Sequence, residues 1–258
     1  MKNEIIKKDN GYVSTIFLNR PEKKNALNAD ALFNLGHIMR AIDKENIIRV
    51  VIIRGSGENI FSSGVDLSGG QKERTRTIEG LGYCLDGLIN YSMPIISMIN
   101  GPAIGAGLDI SVISDFRIAS TDARFGAPLV KLGRTYYFTA IERLTSLVGL
   151  GAAKEMLLTG RLINSQKAKE IGLINQLVTP AELESVAYGL ANELAEEAAP
   201  LAVKVTKQTI KRLFQENRIN PVLGEELHRL VEEINLSKDA EEGIKAKLEK
   251  RSPIFSGK

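Results

Sequence analysis

The stretch from Met93 to Asp115, MPIISMINGPAIGAGLDISVISD, constrains this chain more than any other. Ile95, Ile96, Met98 and Ile99 read as a buried strand. Gly101, Pro102, Gly105 and Gly107 read as a tight turn, and the residues after Gly107 read as an apolar helix with Asp109 inside it. A glycine turn lets backbone come close to a ligand. A helix N-terminus offers free N–H groups and a partial positive charge. Together they suit an anion, including one that exists only during a reaction. A carboxylate one turn further on can move protons. A turn of this composition more often serves packing alone, so the rest of the chain has to decide. The dinucleotide spacing G-x-G-x-x-G fails, because Ile110 stands where its last glycine belongs, and no G-x-x-x-x-G-K-[ST] loop is present.

The flanking sequence predicts an α/β fold. Ile5 to Lys8 and Tyr12 to Leu18 read as strands around Asn10-Gly11, a hairpin signal. Asn28 caps a helix running to about Asp43, with Leu32, Leu35, Ile38, Met39 and Ile42 on one face. Val50 to Ile53 is a buried strand, Gln71 to Tyr91 a helix, and strands recur at Ile95 to Ile99, Phe116 to Ala119 and Leu173 to Leu177. This strand, strand, helix grammar points to α/β. From Ala181 onward the chain reads as helical, with Pro200 and Pro221 in first turns. A boundary near residue 196 is expected to be structural, since no low-complexity linker marks it.

Composition removes several classes. Thirty-four basic against 31 acidic residues leave a net charge of +3, too balanced to argue for nucleic acid. One cysteine, Cys84, excludes an intrachain disulfide and fits a reducing compartment; it reads as packing. There is no apolar run of about 18 residues and no secretory leader pattern, so a soluble, cytoplasmic chain without membrane contact is expected. No Cys, His and Asp cluster has metal-ligand spacing. His37 and His228 sit in charged helical surroundings and read as surface or packing residues.

A second segment, FSSGVDL from Phe61 to Leu67, comes after the strand at Val50. Paired with INGPAIGAGLD across a helical span, it closely resembles the crotonase superfamily, which includes the enoyl-CoA hydratases and isomerases. NRPEKKNALN, SDFRIASTDARFGAP, LTGRLINSQKAKEIGLINQLV and EKRSPIF extend the resemblance nearly end to end. The resemblance implies a spiral of β-β-α turns over residues 1–195. It implies a C-terminal helical trimerisation module over 196–258, building a homotrimer or a dimer of trimers. Leu201, Val205, Ile210, Leu213, Phe214, Leu223, Leu227 and Leu230 would supply that module's apolar faces, or an ordinary intrachain core.

The resemblance also implies chemistry on an acyl-CoA, with coenzyme A carried by the substrate and no separate cofactor. Two backbone N–H groups, aligned here to Ser63 and Ala106, would hold the thioester oxygen as it becomes an enolate. The CoA contacts fall on Lys24, Ala26, Leu27, Ser63, Gly64, Val65, Asp66 and Leu67, with Lys250 and Phe255 as contributions from a neighbouring subunit. Hydratases of this family carry two glutamates. Here Asp109 takes the place of the first and Leu129 that of the second, so efficient hydration is not expected, because leucine transfers no proton. Asp109 is the first candidate acid or base, its alternative being a structural carboxylate; some dienoyl-CoA isomerases of the family use aspartate here.

Tyr136 is the second candidate. LGRTYYFTAIERLT aligns without a gap on the segment of methylmalonyl-CoA decarboxylases that carries an active-site tyrosine. Its alternative is an aromatic in the pocket wall. Leu129 and Tyr137 are expected to shape the acyl pocket, and Glu142 is a weaker third candidate. The leading expectation is an enoyl-CoA hydratase/isomerase-type enzyme. A decarboxylase using Tyr136 and a non-catalytic acyl-CoA-binding protein are the alternatives. An RNA-binding role is not expected, since the helix from Asn28 to Asp43 carries Arg40 but no comb of lysines.

Overall fold

The computed structural model describes residues 3–215, 225, 229, 232, 235–251 and 253. β1 (Ile5–Asn10) and β2 (Val13–Leu18) form the expected antiparallel hairpin, turned by Gly11 at φ 58°. α1 (Ala29–Glu45) starts where its cap predicts: Asn28 Oδ1 accepts the Ala31 N–H at 2.8 Å. Leu32, Leu35, Met39 and Ile42 bury its inner face. The chain then repeats one unit. β3 (Val50–Gly55) leads to α2 (Gln71–Asn90). β4 (Ile95–Ile99) and β5 (Ala103–Ile104) lead to α3 (Ala106–Ile113). β6 (Phe116–Ser120) and β7 (Arg124–Gly126) lead to α4 (Phe138–Thr159). β8 (Ile163–Asn164), α5 (Ser165–Glu170), β9 (Gln176–Val178) and α6 (Leu183–Asn192) complete the core.

One sheet runs β1-β2-β3-β4-β6-β9, parallel throughout after the first pair; a small second sheet runs β5-β7-β8. The large sheet is apolar on both faces, as parallel sheets are. Val51, Ile53, Ile95 and Ile99 face α1, α2 and α3, whereas Val50, Ile52, Ile96 and Met98 face Leu183, Ala187 and Ala191 of α6. The strand expected at Leu173 begins only at Gln176. Leu173 and Ile174 turn into the core instead, their N–H groups donating to the Ala168 carbonyl.

A π-helical turn, Glu193–Glu197, joins α6 to α7 (Pro200–Gln215), with Pro200 at its first position as expected. α7 grips the core through polar groups. Lys207 Nζ donates to Met93 O and pairs with Asp115, both at 2.7 Å, and Lys211 Nζ donates to Asn90 Oδ1 at 2.7 Å. Val205 and Ile210 stay exposed. The closing helix α8 (Lys238–Leu248) lies on the 3₁₀ turn Pro128–Leu132 so closely that a Cβ on Gly243 would collide with the Leu132 carbonyl oxygen. Phe255, Pro221, Leu223, Leu227, His228 and Leu230 lie outside the described residues, as do the side chains of Leu201, Leu213 and Phe214. Among the described residues, no helix is long and apolar enough to cross a membrane.

Candidate active site

The loop after β3 is clasped between two other segments. Phe61 and Ser62 donate their N–H groups to Pro102 O, and Ile104 N–H returns a bond to Ser62 O at 2.9 Å. On the other side, Leu27 N–H donates to Gly64 O and Leu27 O accepts from Asp66 N–H, each at 2.8 Å. This bridge uses both polar groups of Leu27 and leaves the N–H of Val65 pointing elsewhere. Gly64, at φ 98°, makes the reversal possible; a Cβ there would stand 2.9 Å from Ile104 O and 3.4 Å from Ala106 N. Gly107 lets α3 lie on the same loop, since its Cβ would meet Ser62 O at 2.8 Å.

Accounting for the donors corrects one expectation. The Ser63 N–H is committed to Lys24 O at 3.0 Å, Gly64 N–H to Ser62 Oγ, and Gly105 N–H to Gly126 O. The main chain of Ser63 therefore offers no free donor. Among the hydrogen bonds of the described residues, the N–H groups of Val65 and Ala106 find no acceptor, and Gly64 lies between them. Ala106 opens α3, so its N–H lies at the positive end of that helix. The peptide unit that carries it is held from behind: Gly105 O accepts from Asp109 N–H at 3.0 Å and from the Tyr136 hydroxyl at 2.8 Å. Because the peptide is trans and planar, fixing its C=O fixes the opposite direction of its N–H. At the other end of α3, the buried Arg117 guanidinium donates to Ser111 O and Ser114 O, satisfying the negative end.

Asp109 lies three residues after Ala106, on the same face of α3. It is 4% exposed, and its carboxylate is paired with Arg143 of α4 at 2.8 Å. Burial pushes the Asp109 pKa above the ordinary carboxylate value, and the Arg143 charge and hydrogen bond oppose that rise. Tyr136 adjoins the pair. Burial, and then the Asp109 charge, drive its phenol well above its usual pKa, so it serves as a protonated donor. Cys84 is buried behind them on α2, its thiol pushed up to about 12 by burial and then by Asp109; it packs, as expected. The structure brings the two candidates Asp109 and Tyr136 together, and adds Arg143, which the sequence did not point to. Glu142, the weaker third candidate, makes no hydrogen bond or ion pair to this group.

The expected CoA-contact residues line one edge of the clasp. Lys24 is exposed at φ 54°, Ala26 and Leu27 are buried, and Val65 and Leu67 are half-buried. Burial works against the Asp66 carboxylate, but Ser68 and then Arg20 hold its pKa below the ordinary value, with Arg20 Nη1 at 2.9 Å. Asp66 is therefore a brace for the loop. Lys250 is exposed at φ 55°, just after α8. A cavity of about 270 Å³ is lined by Leu129, Tyr136, Ile141, Leu150 and Leu157, among others. Tyr137, expected in the pocket wall, does not line it; it caps α4 beside Arg134 and Glu232. His37 is exposed and bonded to the Tyr83 hydroxyl at 3.0 Å. No group of acidic, His or Cys residues suited to a metal ion occurs among the described residues.

Residues 8–258 match a sequence-family profile described as enoyl-CoA hydratase/isomerase. A short-chain-enoyl-CoA hydratase of Clostridium acetobutylicum is 38% identical over 219 residues, 83% of each chain. A solved enoyl-CoA hydratase of Bacillus anthracis superposes with a TM-score of 0.79 at 32% identity, over 99% of this chain and 100% of that one. A solved methylmalonyl-CoA decarboxylase, in complex with 2-nitronate-propionyl-CoA, superposes with a TM-score of 0.89 at 29% identity, over 99% of both chains. The spiral of β-β-α units, the clasped loop and these full-length likenesses lead to one conclusion: this chain belongs to the enoyl-CoA hydratase/isomerase family, with the crotonase fold, and is an acyl-CoA enzyme of that family.

Proposed function

We propose that this enzyme forms a thioester enolate between the N–H groups of Val65 and Ala106 and moves a proton with Asp109, shifting a double bond in an enoyl-CoA. The observation that carries this reading is the lone carboxylate: Asp109 shares a face of α3 with the Ala106 N–H, and Leu129 stands where a second carboxylate would be needed for hydration. One group can take a proton from one carbon and return it to another. Activating water and protonating carbon together calls for a division of labour that Leu129 cannot share. Lys24, Ala26, Leu27, Gly64 to Leu67 and Lys250 are the residues proposed to meet the CoA. Residues 1–195 would carry the site and 196–258 the assembly module.

The test is product analysis with crotonyl-, 3-enoyl-, dienoyl- and methylmalonyl-CoA. A shifted double bond is expected, with crotonyl-CoA hydration far below the usual enzymatic range of ~1–10³ s⁻¹. Efficient hydration would overturn the reading. Release of carbon dioxide would establish the second reading, decarboxylation, which is favoured by the higher TM-score against methylmalonyl-CoA decarboxylase and by Tyr136 at the site. Tyr136→Phe separates the two. In an isomerase it removes one brace on the Gly105 carbonyl, a hydrogen bond of ~1 kcal/mol or roughly fivefold in rate. In a decarboxylase it removes the group that orients the departing carboxylate, and turnover collapses.

Assembly gives a further expectation. Val205 and Ile210 are 58% and 63% exposed on a helix that turns its lysines inward, an arrangement suited to contact with a second copy. The double change Val205→Asp and Ile210→Asp should convert a trimer to monomers by light scattering, without loss of secondary structure by circular dichroism. An unchanged mass would remove this face from the interface.

A further inference from the structure

We propose that Arg143 is a positioning residue that keeps Asp109 an open carboxylate in the resting enzyme, so that catalysis begins with removal of a proton from the acyl chain. This rests on the reading of Asp109 as the proton-transfer group. The geometry is specific. Arg143 Nη2 donates to Asp109 Oδ1 at 2.8 Å, the Asp109 side chain is 5% exposed, and no other hydrogen-bond donor to that carboxylate is seen among the described residues. The Arg143 Nε is itself buried without a partner. A carboxyl buried this deeply beside apolar groups would otherwise hold its proton. The other titratable groups around it are the Tyr136 phenol and the Cys84 thiol, and both remain protonated at neutral pH. Arg143 is therefore the one charge in this cluster that favours the ionised form.

In the step this allows, an Asp109 oxygen takes the hydrogen from the carbon beside the thioester. The C–H electron pair moves into the enolate, whose oxygen lies against the Val65 and Ala106 N–H groups. Asp109, now neutral, returns the same proton two carbons along and regains its charge beside Arg143. No oxidant, water or metal enters the balance. Asp109 must be ionised to act, so activity falls as pH drops through its pKa. Loss of Arg143 raises that pKa and carries the acid limb to higher pH.

The experiment follows conversion of 3-butenoyl-CoA to crotonyl-CoA by NMR, as a function of pH, in the parent, Asp109→Asn, Arg143→Gln and Arg143→Lys. Asp109→Asn should abolish this isomerisation. Arg143→Gln should move the midpoint of the acid limb up by one pH unit or more, leaving the rate at high pH within about threefold of the parent. Arg143→Lys should bring the midpoint back down. A loss uniform across pH would make Arg143 merely structural and overturn the proposal, as would higher activity of Arg143→Gln at low pH. Persistent isomerisation in Asp109→Asn would instead overturn the reading of Asp109 itself. Should Arg143→Gln not fold, difference infrared spectra of the parent against Asp109→Asn decide the matter. No protonated-carboxyl band belonging to Asp109 is expected at pH 7, and finding one refutes the role given to Arg143.

Discussion

Asp109→Asn lowers kcat by ~10²–10⁴, the usual share of general acid–base catalysis, while CoA-thioester affinity stays near that of the parent. The amide is nearly isosteric with the carboxylate and can still accept from Arg143 Nη2, now 2.8 Å from Asp109 Oδ1. What it cannot do is accept a proton. Steady-state kinetics on the best substrate of the product panel, with a thermal melt on the same samples, checks this. Some loss of stability is expected alongside, because the exchange leaves the largely buried Arg143 guanidinium without its counter-charge, so turnover is compared at a temperature well below both melting points. Equal turnover in variant and parent would reduce Asp109 to a structural partner of Arg143.

Ala106→Pro should cost ~10²–10³ in kcat through the loss of one donor to the developing oxyanion. In most helices such a change would also break the fold, but Ala106 is the first residue of α3, where proline is tolerated. Its N–H makes no intramolecular bond, so none is lost. The melting temperature should therefore stay close to the parent's while activity falls. Full activity with an intact fold would show that the thioester oxygen is held elsewhere. Ser63→Pro is the matched control: it deletes the bond to Lys24 O and should destabilise the clasp.

The parts that could be read from the sequence are those in which local chemistry decides the outcome. Asn28 announced α1, Asn10-Gly11 announced the hairpin, and the run from Met93 to Asp115 announced a strand, a turn and a helix bearing one acid. The donors were harder to read, because backbone N–H groups leave no mark in a residue string. Ser63 and Val65 flank the same glycine, and only the bridge to Leu27 shows which N–H is spent and which is left over. Arg143 was hidden by distance. It meets Asp109 from another helix, across 34 positions of sequence, and its neighbour Glu142 is the more conspicuous acid–base residue. Tyr136 lies before the first residue of α4 and Arg143 within it, so no helical repeat in the sequence links the two.

The peptide joining Gly105 to Ala106 has a consequence for how such a protein can change over time. Its donor is main chain, so almost no single substitution other than proline can delete it. The residues proposed to select the reaction, by contrast, are side chains gathered mainly on one contiguous segment, from Leu129 through Tyr136 to Arg143. On that proposal, a lineage can rewrite its chemistry by editing that segment while the main-chain donor at Ala106 is inherited intact. The same division offers a route for engineering, in which residues 129–143 are transplanted as a cassette between relatives. The cassette would have to keep a backbone that accepts α8, because Gly243 leaves no room above the Leu132 carbonyl.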